Sequence, residues 1–456
     1  MALLGTETEY GILAPDAAGA DPDWLAGLVV DAHAGAATPS FSDSHNRVLG
    51  NGARLYVDHG HPEYATPETT NPTDAARHDH AGDLTVARAA AAASERAGTR
   101  IKIFKNNADG HGNSYGHHEN YLLSRATPWA AIEAALPTFL VTRTVFAGAG
   151  RVGLGPGGER PGFQLSQRAD FFERVSGLDT TRRRGVLNTR DEPHATPSRW
   201  RRLHTIPGDA NRNPFATWLR LGATSLVLAA LEAGHAPDVA LADPVGAFRA
   251  VSRDLTLGVR LPLAGGGTAS ALELQRRFLD AAARHAASAE FPEADDVLAE
   301  WAGVLDDLAR DPASTADRLD WPAKLGLLEA LRARDGLAWD APRLAQFDLA
   351  WADLDDAASP FAALRRAGRL IDWLTPAEVD AAASDPPTDT RAFARGRLVA
   401  DHPDAVVAAT WDSVLVRDAR GGLHNLRMGE PASWRAGEFE RELAALPPLA
   451  RLAPRE

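Results

Sequence analysis

The stretch LYVDHGHPEY, Leu55 to Tyr64, places an aspartate, two histidines and a glutamate directly after a run that alternates like a strand. Alternate side chains of a strand share a face, so Arg54, Tyr56 and Asp58 point one way and Ala53, Leu55 and Val57 the other. With the apolar set turned to a core, the polar set lines up an anion-binding guanidinium, a hydroxyl and a carboxylate. After Pro62 the chain adds Glu63 and Glu68, further oxygen donors within reach of the same rim. A half-exposed strand ending in a His-rich turn would produce the same letters, so the run is informative only in combination.

Other clusters supply the combination. In GTETEYG, Glu7 and Glu9 sit two apart and share a strand face. Side-by-side carboxylates repel unless a cation lies between them, which makes this pair a candidate ligand set for a hard divalent ion, an acidic solvent-facing strand being the plain alternative. In KNNADGHGNSYGHHENYL, Gly110, Gly112 and Gly116 allow close backbone approach to a ligand. His118 and Asn120 then project from one face of the following strand, His117 and Glu119 from the other. Around NTRDEPH and RRLHTIPGDAN, Arg190 and the nearby Arg168 offer phosphate contacts, and His204 could complete an oxygen-and-nitrogen metal shell. The basic runs Arg182 to Arg184 and Arg199 to Arg202 are either a solvated face or a patch for an acidic partner.

Some look-alikes are set aside. GAGRVG, Gly148 to Gly153, fits the dinucleotide pattern, but Pro156 and Gly157 follow where a helix should start. HDH, His78 to His80, lies in a helical pattern where residues two apart diverge, which predicts a surface position. No GxxxxGK[ST] and no GxSxG occurs, which removes P-loop and serine-hydrolase readings.

The elements that must position these residues form an α+β pattern with a largely antiparallel sheet. LLGTETEYGIL, ARLYVDH, RIKIFKNN and HHENYLLSR read as strands, and a capped helix is predicted from near Thr73 to Gly98. FATWLRLGATSLVLAALEAG, ALELQRRFLDAAARHAAS and DDVLAEWAGVLDDLARD carry helical spacing. Pro386 and Pro387 mark a linker, dividing a large domain (1–385) from a small C-terminal α+β domain (386–456) with DAVVAATWDSVLVRD as strands and FERELAAL as a helix.

At 456 residues, 45% hydrophobic and 24% charged, the chain is globular and long enough for more than one domain. Its net charge of -13 argues against nonspecific binding to nucleic acid or to an anionic membrane. Cysteine is absent, which excludes disulfides, thiol nucleophiles and Cys-based metal sites, so any metal must be held by His or oxygen ligands. The N-terminus lacks the features of a signal peptide, and the most apolar run, Leu221 to Gly234, contains Glu232. The expectation is a soluble cytoplasmic protein. Scarce lysine beside abundant Arg and Ala suggests a GC-rich bacterial genome.

GTETEYGI, NGARLYVDHGHPEYATPE, KNNADGHGNSYGHHENYL, GFQLSQR, NTRDEPHA, RRLHTIPGDAN and PPTDTRAF together resemble the Pup ligase and depupylase family of actinobacteria, built on the glutamine-synthetase-like fold. The resemblance runs from Gly5 to about Trp411. It implies a glutamine-synthetase-like catalytic domain, ATP (or ADP with phosphate) and Mg2+ as cofactors, Pup and pupylated proteins as partners, and a functional link to the bacterial proteasome. Two opposite activities share the family's site: ATP-driven coupling of Pup's C-terminal glutamate to substrate lysines, and isopeptide hydrolysis with deamidation of Pup's C-terminal glutamine. GTETEYGI, DHGHPEY, RVGLGPGGERPGFQLSQRADF and LDWPAKL are more similar to the depupylase branch, Dop. The segment Ile12 to Gly50, however, is short, as in ligases. By motif, the resemblance implies Asp58 as catalytic residue, Glu7, Tyr56 and Glu63 as magnesium-site positions, and Arg54, Thr66 and Trp411 as ATP contacts. By the same fold logic Glu9, His118 and His204 would complete a second metal site. A ligase, a catalytically silent Pup-binding relative and, more remotely, a small-molecule carboxylate-amine ligase are the alternatives.

Overall fold

The computed structural model describes residues 3–17, 19–40, 45–286 and 292–450. It contains two compact units, one of Leu3–Ile103, Glu192–Trp200 and Leu374 onward, the other of Phe104–Asp191 and Arg201–Trp373.

In the first unit the strands are β1 (Leu4–Glu9), β2 (Gly11–Leu13), β3 (Ala37–Pro39), β4 (Asn46–Leu49), β5 (Arg54–Asp58) and β6 (His61–Ala65). Five of them pair antiparallel in the order β1-β6-β5-β4-β3. The register places Glu63 of β6 between Glu9 of β1 and Tyr56 of β5, and Ala65 between Glu7 and Arg54. This register is the structural basis of the site, because it stacks same-face residues of three strands side by side. Helix α1 (Pro22–Asp31) is capped by Asp21, whose side chain accepts from the Asp23 N–H.

Helix α2 (Pro72–Ala97) starts one residue before the expected Thr73, with Asn71 accepting from the Asp74 N–H, and stops at Gly98, whose φ is 65°. It lies under the sheet face opposite the carboxylates. A Cβ on Gly82 would come within 2.4 Å of the Tyr64 ring, so only glycine permits this approach. His78, Asp79 and His80 are buried, which corrects the surface position expected for HDH. Residues two apart do diverge, but α2 is covered on more than one side: by β1 and by the helix Pro376–Ser384. Asp79 accepts hydrogen bonds from the hydroxyls of Thr6 (2.8 Å) and Thr8 (3.3 Å), and Asp83 accepts from Tyr10 (2.8 Å). Thr6 and Thr8 of β1, and Tyr10 just after it, are thereby tied to α2, leaving Glu7 and Glu9 on the other face.

Later in the same unit, Val406–Ala409, Ser413–Arg417 and Leu423–Arg427 form an antiparallel meander, with helices Ala392–Asp401 and Ala436–Ala444. Their core of Leu398, Val414, Val416, Leu426 and Phe439 includes Val48 of β4. Pro386 and Pro387, read as a linker, are buried.

The second unit contains the strand order Phe172–Gly177, Arg184–Asn188, Trp200–Thr205, His117–Ser124, the first pair parallel and the second antiparallel. Helices Pro214–Glu232, Ala271–His285 and Ala294–Arg310 occupy the segments expected to be helical. Positions 287–288 of the middle pattern lie outside the described residues. GAGRVG leads into a hairpin, Arg151–Leu154 with Arg160–Gln164, and not into a helix. Helix Pro214–Glu232 is long and apolar enough to cross a membrane, but 89% of its apolar window is buried inside the protein.

Candidate active site

The first unit gathers eight of the expected residues: Glu7, Glu9, Arg54, Tyr56, Asp58, Glu63, Thr66 and Trp411. One carboxylate oxygen from each of Glu9, Asp58 and Glu63 lies within 4.8 Å of the others. Glu63 is buried, and its Oε1 accepts a hydrogen bond of 2.6 Å from the Tyr56 hydroxyl. Burial, then the charges of Glu9, Glu7 and Asp58, hold the Glu63 carboxyl well above the usual carboxylate range. Burial and Glu63 raise the Tyr56 phenol too. A set of hard oxygen donors with three carboxylates gathered this closely fits a divalent cation such as Mg2+, which would be held by Glu9, Asp58 and Glu63.

This grouping departs from the expected ligand division. Glu9 was expected beside the histidines, but the β1–β6 register makes it the cross-strand neighbour of Glu63. Asp58, expected only as the reacting carboxylate, belongs to the same cluster. Its Oδ2 pairs with His59 Nδ1 at 2.8 Å, and this bond and charge raise the His59 imidazole pKa. His59 occupies the turn at φ 47°, which swings its ring back onto Asp58. His61 Nδ1 instead meets the Tyr10 carbonyl at 2.9 Å.

Beside the carboxylates stands a basic and aromatic group. The Arg54 guanidinium donates to Asn46 Oδ1 at 2.9 Å and to Ser40 Oγ at 3.2 Å, and lies 5.6 Å from the Tyr56 ring centre. The Trp411 ring has Arg54 at 5.3 Å and Arg395 at 5.1 Å. Thr66 is buried, with Oγ1 accepting from the Thr6 N–H at 3.0 Å. Glu68, read as an extra donor on the rim, is removed from it: Arg395 and Arg391 both bind its carboxylate. Burial alone would raise its pKa, but the two guanidinium groups bring it down to about 2. Arg395 thus ties Glu68, the Gly52 carbonyl and the Trp411 carbonyl together.

In the second unit His118 and His204 meet edge to face with ring centres 4.9 Å apart. His204 Nδ1 lies 2.9 Å from Asn120 Oδ1, which also accepts from Arg202. An amide oxygen only accepts, so Nδ1 carries the hydrogen and Nε2 keeps its lone pair, the form that ligates metals. A Cβ on Gly116 would fall 2.2 Å from His118 Nε2, so this glycine makes room for an imidazole. The other strand face is held by charge: Glu119 pairs with Arg143 at 2.5 Å and with Arg220 at 3.4 Å, and Arg220 reaches His117 at 2.6 Å.

The phosphate role expected for Arg168 does not suit its position. It is buried, donates to the Ile206 carbonyl at 2.6 Å and lies 5.7 Å from the Phe172 ring centre. Arg190 is exposed after Arg184–Asn188, its N–H donating to Asn188 Oδ1 at 2.8 Å. Arg184 leaves the supposed basic patch as well, buried and bonded to the Thr180 and Ser114 carbonyls.

The family model for the Pup-ligase protein matches residues 2–415. The chain belongs to this family. A Pup deamidase/depupylase of Mycobacterium tuberculosis is 44% identical, over 91% of this chain and 90% of the relative. A Pup–protein ligase of Micrococcus luteus is 42% identical, over 87% and 88%. Among solved structures, the complex of Pup with its ligase PafA has a TM-score of 0.85 at 34% identity, covering 96% of this chain and 91% of that one. PafA in complex with ADP has a TM-score of 0.80 at 35% identity, covering 89% and 90%. The α+β fold of this chain is therefore that of the Pup-ligase family, with its large, mainly antiparallel sheet.

Within this family fold, the residues that sequence reasoning missed are the supports. Asp79 bonds β1, Arg395 touches the Trp411 ring, and Arg391 shares Glu68 with Arg395, yet these partners are far away in sequence. Asp79 did carry a signal, a carboxylate between two histidines, but it was assigned to the surface.

Proposed function

We propose that this protein is a nucleotide-dependent amidohydrolase that removes Pup from pupylated proteins and deamidates the C-terminal glutamine of Pup. The observation that carries the reading is Asp58: it ends β5 beside Glu9 and Glu63, with its side chain 38% exposed and one oxygen held by His59. The carboxylate is thus fixed yet open to substrate, as a base or nucleophile must be.

In the proposed reaction Asp58 acts at the glutamyl carbonyl carbon, as base toward water or as nucleophile. As base, Asp58 takes a proton from the attacking water; as nucleophile, it forms an anhydride that water then hydrolyses. Either way the carbon–nitrogen bond breaks, one water supplies the oxygen of the new carboxylate, and the nitrogen leaves protonated as lysine amine or ammonia. His59 orients Asp58 through the 2.8 Å contact. Arg54 and Trp411 offer a cation and a ring for a nucleotide, the class of ligand bound by PafA in its ADP complex. A bound divalent cation would supply charge neutralisation for phosphate and polarisation of the carbonyl. His118 and His204 offer further nitrogen donors in their own unit. Amide hydrolysis is downhill, so in this reading the nucleotide is a resident cofactor.

The 44% identity to a depupylase and the Dop-like stretches support hydrolysis. A second reading, the ATP-consuming Pup ligase, draws on the 42% identical ligase, the two PafA structures and the short segment between Ile12 and Gly50. Incubation with a Pup conjugate and with glutamine-ended Pup, with ATP and then a nonhydrolysable analogue, separates them. Cleavage with both nucleotides supports the hydrolase; conjugation coupled to ADP formation replaces it with the ligase. Asp58→Asn should abolish cleavage and keep nucleotide binding, and retained turnover would sink the role of Asp58.

A further inference from the structure

An isopeptide bond has two sides, and only one of them is Pup. Where the other side docks is suggested by the surface next to the Asp58 turn. The first turn of α1 rests on that turn: a Cβ on Gly60 would lie 3.3 Å from Pro22 Cβ and 3.8 Å from Asp23 Cγ. Two large apolar side chains stand exposed nearby, Trp24 of this turn at 52% and Leu13 at 47%. Leu13 ends β2, which packs against α1. Asp21 and Asp23 are exposed beside Trp24. Basic groups of the region are engaged elsewhere, Arg100 with Asp16 at 3.7 Å, and Arg47 and His45 with Asp31 at the far end of α1.

An exposed indole flanked by carboxylates suits a lysine-bearing surface. Alkyl stems pack on the ring, and ammonium groups sit over its face or against the carboxylates. The same charge repels an acidic chain. We propose that Leu13, Asp21, Asp23 and Trp24 form the docking surface for the lysine-bearing protein from which Pup is removed. The assignment rests on the depupylase reading above. It places the target protein at the tip of the β5–β6 hairpin, next to the carboxylate that cuts the bond. Deamidation of free glutamine-ended Pup releases only ammonia and needs no such surface.

That difference supplies the test. Steady-state kinetics are measured on a Pup conjugate of a lysine-rich folded protein and on free glutamine-ended Pup, for wild type, Trp24→Ala, Trp24→Ala with Leu13→Ser, and Asp23→Asn. For the Trp24 variants, KM for the conjugate should rise by about fivefold or more, while deamidation stays within about twofold. Added salt should raise the wild-type conjugate KM more than that of Asp23→Asn. Unchanged conjugate KM in all variants, or an equal loss on both substrates, would overturn the docking surface alone. Wild-type protein that acts on neither substrate would overturn the functional reading and the docking surface with it. The exposed position of Trp24 and a matching melting temperature guard against a folding artefact, and Asp23→Asn keeps the test decisive if the double variant is unstable.

Discussion

Replacing Glu63 by Gln tests the carboxylate cluster directly, because it removes one charge while keeping size and an oxygen that can accept from Tyr56. With ligand oxygens within 4.8 Å of one another, each pair of full charges repels by about 3.5 kcal/mol at an effective dielectric of about 20. Most of that is not released by the substitution. Asp58 is 38% exposed and paired with His59, and part of the repulsion is already expressed in the upward shift of the Glu63 carboxyl. About 1 kcal/mol is also given back when the Tyr56 hydroxyl bonds an amide in place of a carboxylate. The net expectation is a gain of about 1 to 2 kcal/mol without metal, or about 1 to 2 °C in apparent melting temperature for a chain of 456 residues. Thermal melting in chelator and in millimolar Mg2+ reads both halves: Glu63→Gln should melt higher than wild type in chelator and gain little from Mg2+, with cleavage lost. A variant that melts lower in chelator, or gains as much from Mg2+ as wild type, would refute the reasoning.

Other outcomes follow from the same contacts. Glu68 has a folded pKa of about 2, depressed from 4.5, so its ion pairs stabilise the protein above the unfolded value and that stability is lost as pH falls from 4.5 toward 2. The shift corresponds to about 3 kcal/mol, and acid denaturation of Glu68→Gln should lack this component relative to wild type. Asp79→Ala removes the buried carboxylate that accepts from Thr6 and Thr8 and should cost about 2 kcal/mol in denaturant unfolding, with faster amide exchange in β1. Trp411→Ala removes the ring between Arg54 and Arg395 and should weaken nucleotide binding about tenfold by calorimetry.

Much of the site was legible because strand geometry is local. A period of two fixes which side chains share a face, so Arg54, Tyr56 and Asp58 could be grouped from letters alone, as could His118 with Asn120. The α2 cap was legible for the same reason, since Asn71, Asp74 and Gly98 act within a turn or so of themselves. Arg168 and Glu68 were misread because residue type does not reveal burial. A guanidinium that could bind phosphate can equally bind a carbonyl, and a carboxylate that could bind metal can bind two arginines.

The sequence by itself determined the inventory: acidic oxygen donors, histidines, no thiol, and the strand faces on which the reactive groups lie. Only the tertiary structure decided which of them stand together. Cross-strand register joined Glu9 to Glu63, which are far apart along the chain but opposite one another in the sheet. Packing of α2 set Asp79 against Thr6 across 73 residues, and Arg395 reached Glu68 across 327. Such pairings depend on how elements dock, which is governed by the summed burial of many side chains and is written in no single local pattern.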